Sequence, residues 1–429
     1  MRAPFLIILL LSLTAAFAQS EPAAYKKAVA RFQHYYNKNQ ADSIFSLMAP
    51  EVKALLPADK NRQMISQLQT QLGKLDQVSF IAMDKGIATY KATFNKSVLA
   101  MKVNINQANQ FAGLLFDNYK DPAQAVVAQP GQLEPGESAF TYKGMGATIS
   151  GTLTMPANAT GKVPVVLIIP GSGPTDRNGN SPKMGLNANS YKMLAAALSK
   201  SGIASLRYDK RLVGETVSST KESQIRIDNY IDDAVGLINN LHDDARFSKV
   251  IVLGHSEGSL IGMVASADQP VSGFISVAGA GQPAYYILKE QAKSQPDYIS
   301  GRFSAIIDSL ARGKTQDNVD ASLYGVARPA IQPYLMSWMS YDPQRAIKKL
   351  KIPVLIVHGT TDVQLNVSNA EKLKKAKSDA VLQIIPDMNH VLKQAPADRD
   401  KNLATYADPT LPLKPEFVSA VIDFVNKIK

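Results

Sequence analysis

The chain has 429 residues, of which 45% are hydrophobic and 19% charged, as is typical of a soluble globular protein with domains of roughly 150 residues. It contains no cysteine, which excludes disulfides, thiolate metal sites, iron–sulfur clusters and cysteine nucleophiles. The formal net charge is +11, but the basic residues are scattered, so we expect no nucleic-acid partner.

The N-terminus has the pattern of an export signal. Arg2 precedes an apolar stretch from Phe5 to Leu13, and Ala16-Phe17-Ala18 has the small-x-small spacing of a signal-peptidase site. We therefore expect residues 1–18 to be a signal peptide and the mature protein to be exported, either periplasmic or secreted. The apolar stretch is too short to span a bilayer as a stable helix. We expect no stable membrane insertion after cleavage, with a membrane anchor as the alternative.

Residues 19–120 are predicted to form a small α+β domain without catalytic chemistry. Apolar residues recur first at helical spacing and then at every second position, which indicates short helices followed by two strands with a turn at Asn95-Lys96. The positions that carry this pattern are Tyr25, Val29, Phe32 and Tyr36, then Ile44, Leu47 and Met48, then Ile65, Leu68 and Leu72, and finally Tyr90 to Phe94 and Leu99 to Ile105. The prolines and glycines of residues 121–137 predict a linker.

Residues 138–429 are predicted to form an α/β domain with a parallel sheet that helices cover on both faces. Short continuous apolar runs, typical of buried parallel strands, alternate with segments of helical spacing. The predicted strands are 165–169, 204–208, 250–253, 273–277, 353–357 and 381–385, and the predicted helices contain Tyr191 to Leu198, Ile227 to Leu241, Leu260 to Val264, Leu373 and Phe417 to Ile428. Residues 282–350 interrupt this alternation with helical patterns, so we predict a cap inserted between two core strands.

A candidate nucleophile, Ser256, lies in the motif Gly254-His255-Ser256-Glu257-Gly258, which follows a predicted strand and opens a helix. A sharp strand-to-helix turn brings the backbone close to its neighbours, so only glycine fits two positions before and after the nucleophile. The turn would lift the hydroxyl above the sheet edge at a helix N-terminus, where developing negative charge is stabilised. An ordinary glycine-flanked turn is the alternative.

A serine hydroxyl needs a general base, and His390 is the predicted one because it lies in the loop after the last predicted strand. The chain has five histidines. The other four are His34 in the small domain, His242 at a helix end, His255, which should point away at the turn, and His358, which is expected to pack or shape the site.

Asp362 is the predicted acid that holds the tautomer of His390 and stabilises the imidazolium. It follows the predicted strand 353–357 and gives the order Ser, Asp, His along the chain. Asp387 is the rival, but a residue three positions from His390 has poor geometry for a side-chain partner. A solvated turn aspartate is the alternative interpretation of Asp362.

Two backbone N–H groups are predicted to form an oxyanion hole. One belongs to Glu257, the residue after the nucleophile, and the other to Ser172 in the loop Pro170–Pro174, which follows the first long core strand. Glycine-rich loops also bind phosphates, but the chain lacks the phosphate-binding motifs that would favour this interpretation.

Further residues are candidates for substrate contacts. Arg177 and the segment Arg207–Arg211 follow two predicted strands and flank the site, although ion pairs between loops explain them equally well. In the cap, Trp338, Met339 and Tyr341 are candidates to line an acyl pocket, with plain core packing as the alternative. No histidines have metal-ligand spacing, so we predict no metal and no cofactor.

Residues 138–429 resemble the α/β-hydrolase superfamily and are most similar to its serine-aminopeptidase-like and dienelactone-hydrolase-like exported esterases. The stretches that carry the resemblance are Pro170–Pro174, Asp176–Asn180, Arg207–Arg211, Gly254–Gly258, Tyr341–Pro343, Gly359–Asp362 and Asn389-His390. The resemblance implies an α/β-hydrolase fold with a helical cap, and Ser256, His390 and Asp362 as nucleophile, base and acid. One departure is Leu212, where relatives often have glycine, and it concerns the backbone of that loop rather than the triad. The small domain is similar to a nuclear-transport-factor-like cone.

Together these features predict an exported serine hydrolase that cleaves small-molecule carboxylic esters through an acyl-enzyme. A peptidase or thioesterase on the same triad is the alternative within the enzymes. A non-catalytic binding protein on a hydrolase scaffold is the alternative from another class. We also hypothesise that the small domain shields the site or mediates homo-oligomerisation.

Overall fold

The computed structural model describes residues 20–84, 86–119, 133–295, 297–320 and 323–428. The chain divides into two compact units, Met1–Pro130 and Gly131–Lys429. The predicted signal peptide at 1–18 and most of the predicted linker at 121–137 lie outside the described residues. Within the described ranges, no helix is long and apolar enough to cross a bilayer.

The first unit packs helices against a four-stranded antiparallel sheet. Its described helices are α1 (Ala23–Asn37), α2 (Ala41–Ser46), α3 (Pro50–Leu55) and α4 (Ala58–Leu72), and the strands, in sheet order, are β1 (Leu75–Asp84), β2 (Ile87–Phe94), β3 (Val98–Ile105) and β4 (Phe111–Asn118). Alternate residues of β2 are buried, and its Phe94 meets Tyr36 of α1 edge-on. This is the α+β class that the sequence predicts.

A nine-stranded sheet forms the centre of the second unit. The strands of this unit, in chain order, are β5 (Glu137–Gly144), β6 (Ala147–Thr154), β7 (Val163–Ile169), β8 (Asn180–Ser181), β9 (Leu186–Asn187), β10 (Ala204–Tyr208), β11 (Val217–Ser218), β12 (Phe247–His255), β13 (Gly273–Val277), β14 (Val354–Gly359) and β15 (Val381–Ile385). The main sheet runs in the order β5-β6-β10-β7-β12-β13-β14-β15, with short β11 also on β6, while β8 and β9 pair separately. Along the path β10-β7-β12-β13-β14-β15 neighbouring strands are parallel, as the sequence predicts. Strand β6 runs antiparallel to β5, β10 and β11, so the sheet is mixed rather than wholly parallel. The predicted α/β-hydrolase fold is confirmed.

Helices cover both faces of this sheet. The described helices are α5 (Ser190–Lys200), α6 (Ile227–Asp243), α7 (Glu257–Ala265), α8 (Ala284–Ala292), α9 (Asp297–Ala311), α10 (Tyr324–Ala327), α11 (Gln332–Met339), α12 (Pro343–Lys349), α13 (Ser368–Ala376), α14 (Arg399–Ala404) and α15 (Pro415–Lys427). Helices α6, α7, α12 and α13 contribute to the buried core on one face, and α5 and α15 to the core on the other. The insertion between β13 and β14 carries α8 to α12, and α9 and α11 share an apolar core of their own, so the helical cap of the predicted fold is present.

The parallel register brings the carboxyl ends of the central strands to one edge. Gly254 of β12 lies opposite Ile169 of β7, and Gly359 of β14 lies opposite Ile385 of β15. Loops that leave these strands therefore emerge side by side, as is usual for ligand sites in α/β sheets.

The loop after β10 has an unusual backbone at Leu212. This residue has a φ of 64°, in the left-handed region that favours glycine, and its side chain is 49% exposed. The departure from glycine at this position therefore carries a conformational cost without a buried side chain to offset it.

Candidate active site

The turn between β12 and α7 presents Ser256 in a strained backbone conformation. Its φ and ψ are 54° and −119°, and its N–H donates to the carbonyl of Val277 at 2.9 Å. A Cβ on Gly254 would lie 2.2 Å from the carbonyl oxygen of Gly258, and one on Gly258 would lie 2.3 Å from that of Ile169. Both flanking glycines are thus required for the reason that the sequence suggests. The half-buried Ser256 stands at the N-terminus of α7, at the carboxyl edge of the sheet.

Asp362 and His390 form a buried, hydrogen-bonded pair. His390 Nδ1 donates to Asp362 Oδ2 at 2.7 Å, while Asp362 Oδ1 accepts the N–H groups of Gln364 and Leu365 at 2.8 and 2.9 Å. Burial acts to raise the pKa of the Asp362 carboxyl, but the adjacent His390 imidazole holds that pKa below its usual range. The carboxylate therefore fixes the proton on Nδ1 and leaves Nε2 as the basic nitrogen of His390.

His255 connects the serine turn to the loop that carries His390. Its Nε2 donates to the carbonyl oxygen of His390 at 2.9 Å, and the centroids of the two rings are 4.9 Å apart. Burial, with His390 next to it, lowers the pKa of His255 to about 3, so the ring is neutral. The structure thus brings His390 and Asp362 against the residue that precedes Ser256.

The other nitrogen of His255 leads to the loop after β7. His255 Nδ1 accepts the hydroxyl proton of Tyr191, whose oxygen lies 2.7 Å away and itself accepts the N–H of Gly171 at 3.1 Å. A Cβ on Gly171 would lie 3.2 Å from the Ser256 Cβ, so glycine permits the close approach of this loop to the nucleophile. This places Ser172, a predicted oxyanion donor, directly after the residue that touches the turn.

Glu257 is the first residue of α7, so its backbone N–H has no partner within the helix, and its side chain is buried. Its Oε1 lies 3.2 Å from Lys210 Nζ, and the two side chains are 0% and 2% exposed. The hydroxyl of Tyr334, from the cap, donates to the other carboxylate oxygen. Lys210 also donates to the carbonyl oxygen of Gly171 at 2.6 Å and lies 5.0 Å from the centroid of the Tyr230 ring.

The predicted substrate-contact residues have structural partners. The Arg177 guanidinium binds Asp209 and Glu215, with its Nη2 at 2.6 and 2.8 Å from the carboxylates, which is the ion-pair alternative that the sequence leaves open.

The three cap residues predicted to line an acyl pocket, Trp338, Met339 and Tyr341, are half-buried. The Trp338 ring packs beside Tyr334, and both Trp338 and Met339 pack against the cap core. The Tyr341 hydroxyl donates to Asp228 at 2.6 Å. Packing thus accounts for all three residues, and it is Tyr334 that reaches a residue of the site.

His358 contacts the acid and the loop that carries it. It is fully buried, its Nε2 donates to the carbonyl of Leu365 at 2.7 Å, and burial lowers its pKa. Its Nε2 is 3.7 Å from Asp362 Oδ2, so it packs against the acid, in the site-shaping role that the sequence predicts. Among the described residues, no group of three histidine or acidic side chains is placed to hold a metal ion.

Three side chains of this site were not assigned by the sequence. The sequence predicts Tyr191 only as an apolar helix position and Lys210 only as part of a flanking segment, and it gives no signal for Tyr334. For His255 the sequence predicts only that the side chain points away at the turn, and the structure adds that its ring bonds to Tyr191 and to the backbone of His390. The only sequence signal for this network of contacts is the histidine directly before the nucleophile in the motif Gly254–Gly258.

Comparison with known proteins finds hydrolases. Residues 182–322 match the family described as serine aminopeptidase, S33. The chain is 24% identical over 374 residues to esterase EstD of Thermotoga maritima, a match that covers 84% of this chain and 86% of the relative. It is 24% identical over 199 residues to a 2-(acetamidomethylene)succinate hydrolase of Mesorhizobium japonicum, covering 42% of this chain and 70% of that protein. Among solved structures, Est1E of Butyrivibrio proteoclasticus with bound ferulic acid is 19% identical, with a TM-score of 0.47, and the match covers 68% of this chain and 99% of Est1E.

The matched family segment includes Ser256 and Lys210 and ends before Asp362 and His390. This family match agrees with the resemblance to serine-aminopeptidase-like hydrolases that the motifs of the second unit carry. The cone-like resemblance of the small domain stays a prediction.

Proposed function

We propose that the chain is a carboxylesterase-type α/β hydrolase that cleaves small carboxylic esters through an acyl-enzyme on Ser256. One observation carries the proposal. The Asp362–His390 pair, joined at 2.7 Å, is held against the turn that presents Ser256. The similarity to an esterase over 84% of the chain supports esters as the substrate class.

In the first half of the reaction, Ser256 Oγ attacks the ester carbonyl carbon while His390 Nε2 takes the hydroxyl proton. The carbonyl electrons move onto oxygen, and the N–H groups of Ser172 and Glu257 stabilise the resulting charge. The tetrahedral adduct then collapses, the bond to the alcohol oxygen breaks, and the alcohol leaves with the proton from His390. Asp362 stays ionised throughout and stabilises the imidazolium.

In the second half, water takes the place of the alcohol. The water oxygen attacks the acyl carbon while His390 Nε2 accepts a proton from the water. When the adduct collapses, His390 returns the proton to Ser256 Oγ and the carboxylic acid leaves. The neutral His255 does not compete for the proton, because its pKa of about 3 keeps it uncharged at neutral pH.

Turnover of p-nitrophenyl acetate and butyrate by the purified protein tests this function. We expect hydrolysis by the wild-type protein and a loss of about 10⁴- to 10⁶-fold in kcat for Ser256→Ala. Wild-type turnover by Ser256→Ala would overturn the mechanism. A folded protein that neither turns over esters nor reacts with a fluorophosphonate would favour a binding role.

A peptidase is the second candidate, since the matched family is described as a serine aminopeptidase. The same triad chemistry serves amides and thioesters. Parallel assays with p-nitrophenyl esters, aminoacyl amides and acyl thioesters separate these activities. We expect the highest kcat/KM for the esters, and a higher value for the amides would assign the chain to the peptidases.

We also propose that the protein is exported. The support is the sequence pattern of residues 1–18, with a basic start, an apolar stretch and the Ala16-Phe17-Ala18 site. Expression with this segment in a bacterial host, followed by fractionation and N-terminal sequencing, should give a periplasmic or secreted chain that begins at Gln19. An unprocessed cytoplasmic chain would contradict the proposal.

A further inference from the structure

Resting on the proposed function, we propose that Lys210 is a positioning residue that aims and polarises the Ser172 N–H of the oxyanion hole. The Lys210 ammonium donates to the carbonyl oxygen of Gly171 at 2.6 Å. That carbonyl and the Ser172 N–H belong to the same peptide group. The lysine therefore acts on the oxyanion donor through one rigid unit.

The geometry of a peptide group transmits the effect. A trans peptide is planar, and its C=O and N–H bonds point to opposite sides. Fixing the Gly171 oxygen against Lys210 consequently fixes the direction of the Ser172 N–H. A cation at the oxygen also draws electron density away from nitrogen, so that the N–H becomes a stronger donor, as in other polarised hydrogen-bond chains.

The loop needs this external support, because Gly171 has a backbone freedom that other residues lack. Its N–H is held by Tyr191 and its C=O by Lys210, so the peptides on both sides of Gly171 have a partner. Thr175 Oγ1 holds the next carbonyl, that of Ser172, at 2.9 Å, so Lys210 is the group that acts on the peptide between Gly171 and the exposed Ser172.

Lys210 is itself held by the residue that gives the other oxyanion donor. Its Nζ pairs with the carboxylate of Glu257, whose backbone N–H is the second donor. One buried ion pair thus links the two halves of the oxyanion hole. Buried ion pairs contribute little net stability, so a geometric role accounts for this pair better than a stabilising one.

The decisive variants are Lys210→Met and the double variant Lys210→Met/Glu257→Gln. The single change leaves a buried carboxylate without its cation, and the double change removes both charges while keeping the Glu257 N–H. Arg211→Met is the matched control. Arg211 is the next residue, equally buried, and paired with Asp233 at 2.8 Å, but its contacts do not involve the loop after β7.

The readouts are kcat and KM for p-nitrophenyl butyrate and the affinity for an alkyl trifluoromethyl ketone, whose serine adduct places an oxyanion in the hole. We expect both Lys210 variants to lose about 10- to 100-fold in kcat and in ketone affinity, with KM changed by less than about threefold. Arg211→Met should lower the melting temperature but keep the wild-type ratio of ketone affinity to substrate KM.

Three results would overturn the proposal. One is a folded double variant with wild-type kcat and ketone affinity. Another is a loss in the Arg211→Met control that matches the loss in the Lys210 variants. The third is failure of the proposed function itself, seen either as wild-type turnover by Ser256→Ala or as no turnover by the wild-type protein. Normal turnover that depends on Ser256 but not on Lys210 refutes the role of Lys210 alone.

Discussion

His255 Nε2 donates to the carbonyl oxygen of His390 at 2.9 Å, so the residue before the nucleophile holds the backbone of the residue that acts as base. Because His255 Nδ1 accepts from Tyr191, and Tyr191 accepts from Gly171, one chain of hydrogen bonds joins three loops of the site. These contacts are buried, where a missing partner costs more than it does at the surface.

Tyr191→Phe should therefore weaken both stability and catalysis. The change leaves His255 Nδ1 and the Gly171 N–H without their partner, so we expect a loss of about 1–3 kcal/mol in the free energy of unfolding. We expect kcat to fall about tenfold, because a small misplacement of the base and the oxyanion loop is costly. Urea titration and ester turnover measure the two effects.

Tyr208→Phe is the control for this substitution. Tyr208 is also buried, and among the described residues its hydroxyl has no hydrogen-bond partner. Its variant should match the wild-type kcat and be at least as stable. Equal effects of the two variants would show that the Tyr191 contacts do not matter.

Asp362→Asn should retain the fold and lose activity. An amide oxygen can still accept the N–H groups of Gln364 and Leu365, while the imidazolium loses its counter-charge and the tautomer of His390 is no longer fixed. We expect a fall of about 10⁴-fold in kcat at pH 7 with little change in the circular dichroism spectrum. The same change at the rival carboxylate, Asp387→Asn, should leave kcat close to wild type, and the reverse order of effects would assign the acid to Asp387.

The neutral His255 predicts a pH dependence of stability. Its pKa is lowered to about 3 in the folded protein, so below an unfolded pKa of about 6.5 the unfolded chain binds a proton that the folded chain does not. The stability that His255 contributes is present above pH 6.5 and is lost as pH falls from about 6.5 to 3, at up to about 1.4 kcal/mol per pH unit. His358, whose pKa burial also lowers, adds to the same slope.

Urea titrations between pH 4 and 8 measure this dependence, with the fluorescence of Trp338, the single tryptophan, reporting on the second unit. His255→Gln removes the titrating group, and we expect its unfolding free energy to fall less steeply below pH 6.5 than that of the wild type. Parallel curves for the two proteins would contradict a neutral, buried His255.

Leu212→Gly should stabilise the second unit. Relief of the left-handed backbone contributes about 1–2 kcal/mol, and the greater freedom of glycine in the unfolded chain offsets part of it, which leaves a gain of about 0.5–1 kcal/mol. Leu403→Gly is the control, since Leu403 is 37% exposed but lies in α14, where glycine costs about 1 kcal/mol. A loss of stability in both variants would show that Leu212 is not strained.

The sequence was sufficient for the parts of the fold that have a local pattern. Continuous apolar runs located the parallel strands from β7 to β15, and alternation located β2 and β3. The flanking strand β1 was not recognised, because its burial does not alternate and the pairing has two irregularities, near Leu75 and Phe80. Strands β5 and β6 lacked a distinct apolar run, since they form an antiparallel hairpin with one partly exposed strand.

The same distinction applies to the site. Ser256, Asp362 and His390 could be proposed because each follows a recognisable strand, and topology gathers strand ends at one edge. The supporting contacts join residues that are distant in sequence, such as Lys210 and Tyr334, which are 47 and 77 positions from Glu257. No local pattern carries these pairs, and they follow only from the packing of the cap and the loop after β10.

The central claim, that His390 activates Ser256 as a nucleophile, is tested most directly by the site and rate of fluorophosphonate labelling in the folded protein. Peptide mapping by mass spectrometry should find the adduct on Ser256, with no labelling of Ser256→Ala and a rate at least about 100-fold lower for His390→Ala. An adduct on another residue, or labelling of His390→Ala at the wild-type rate, would contradict the account.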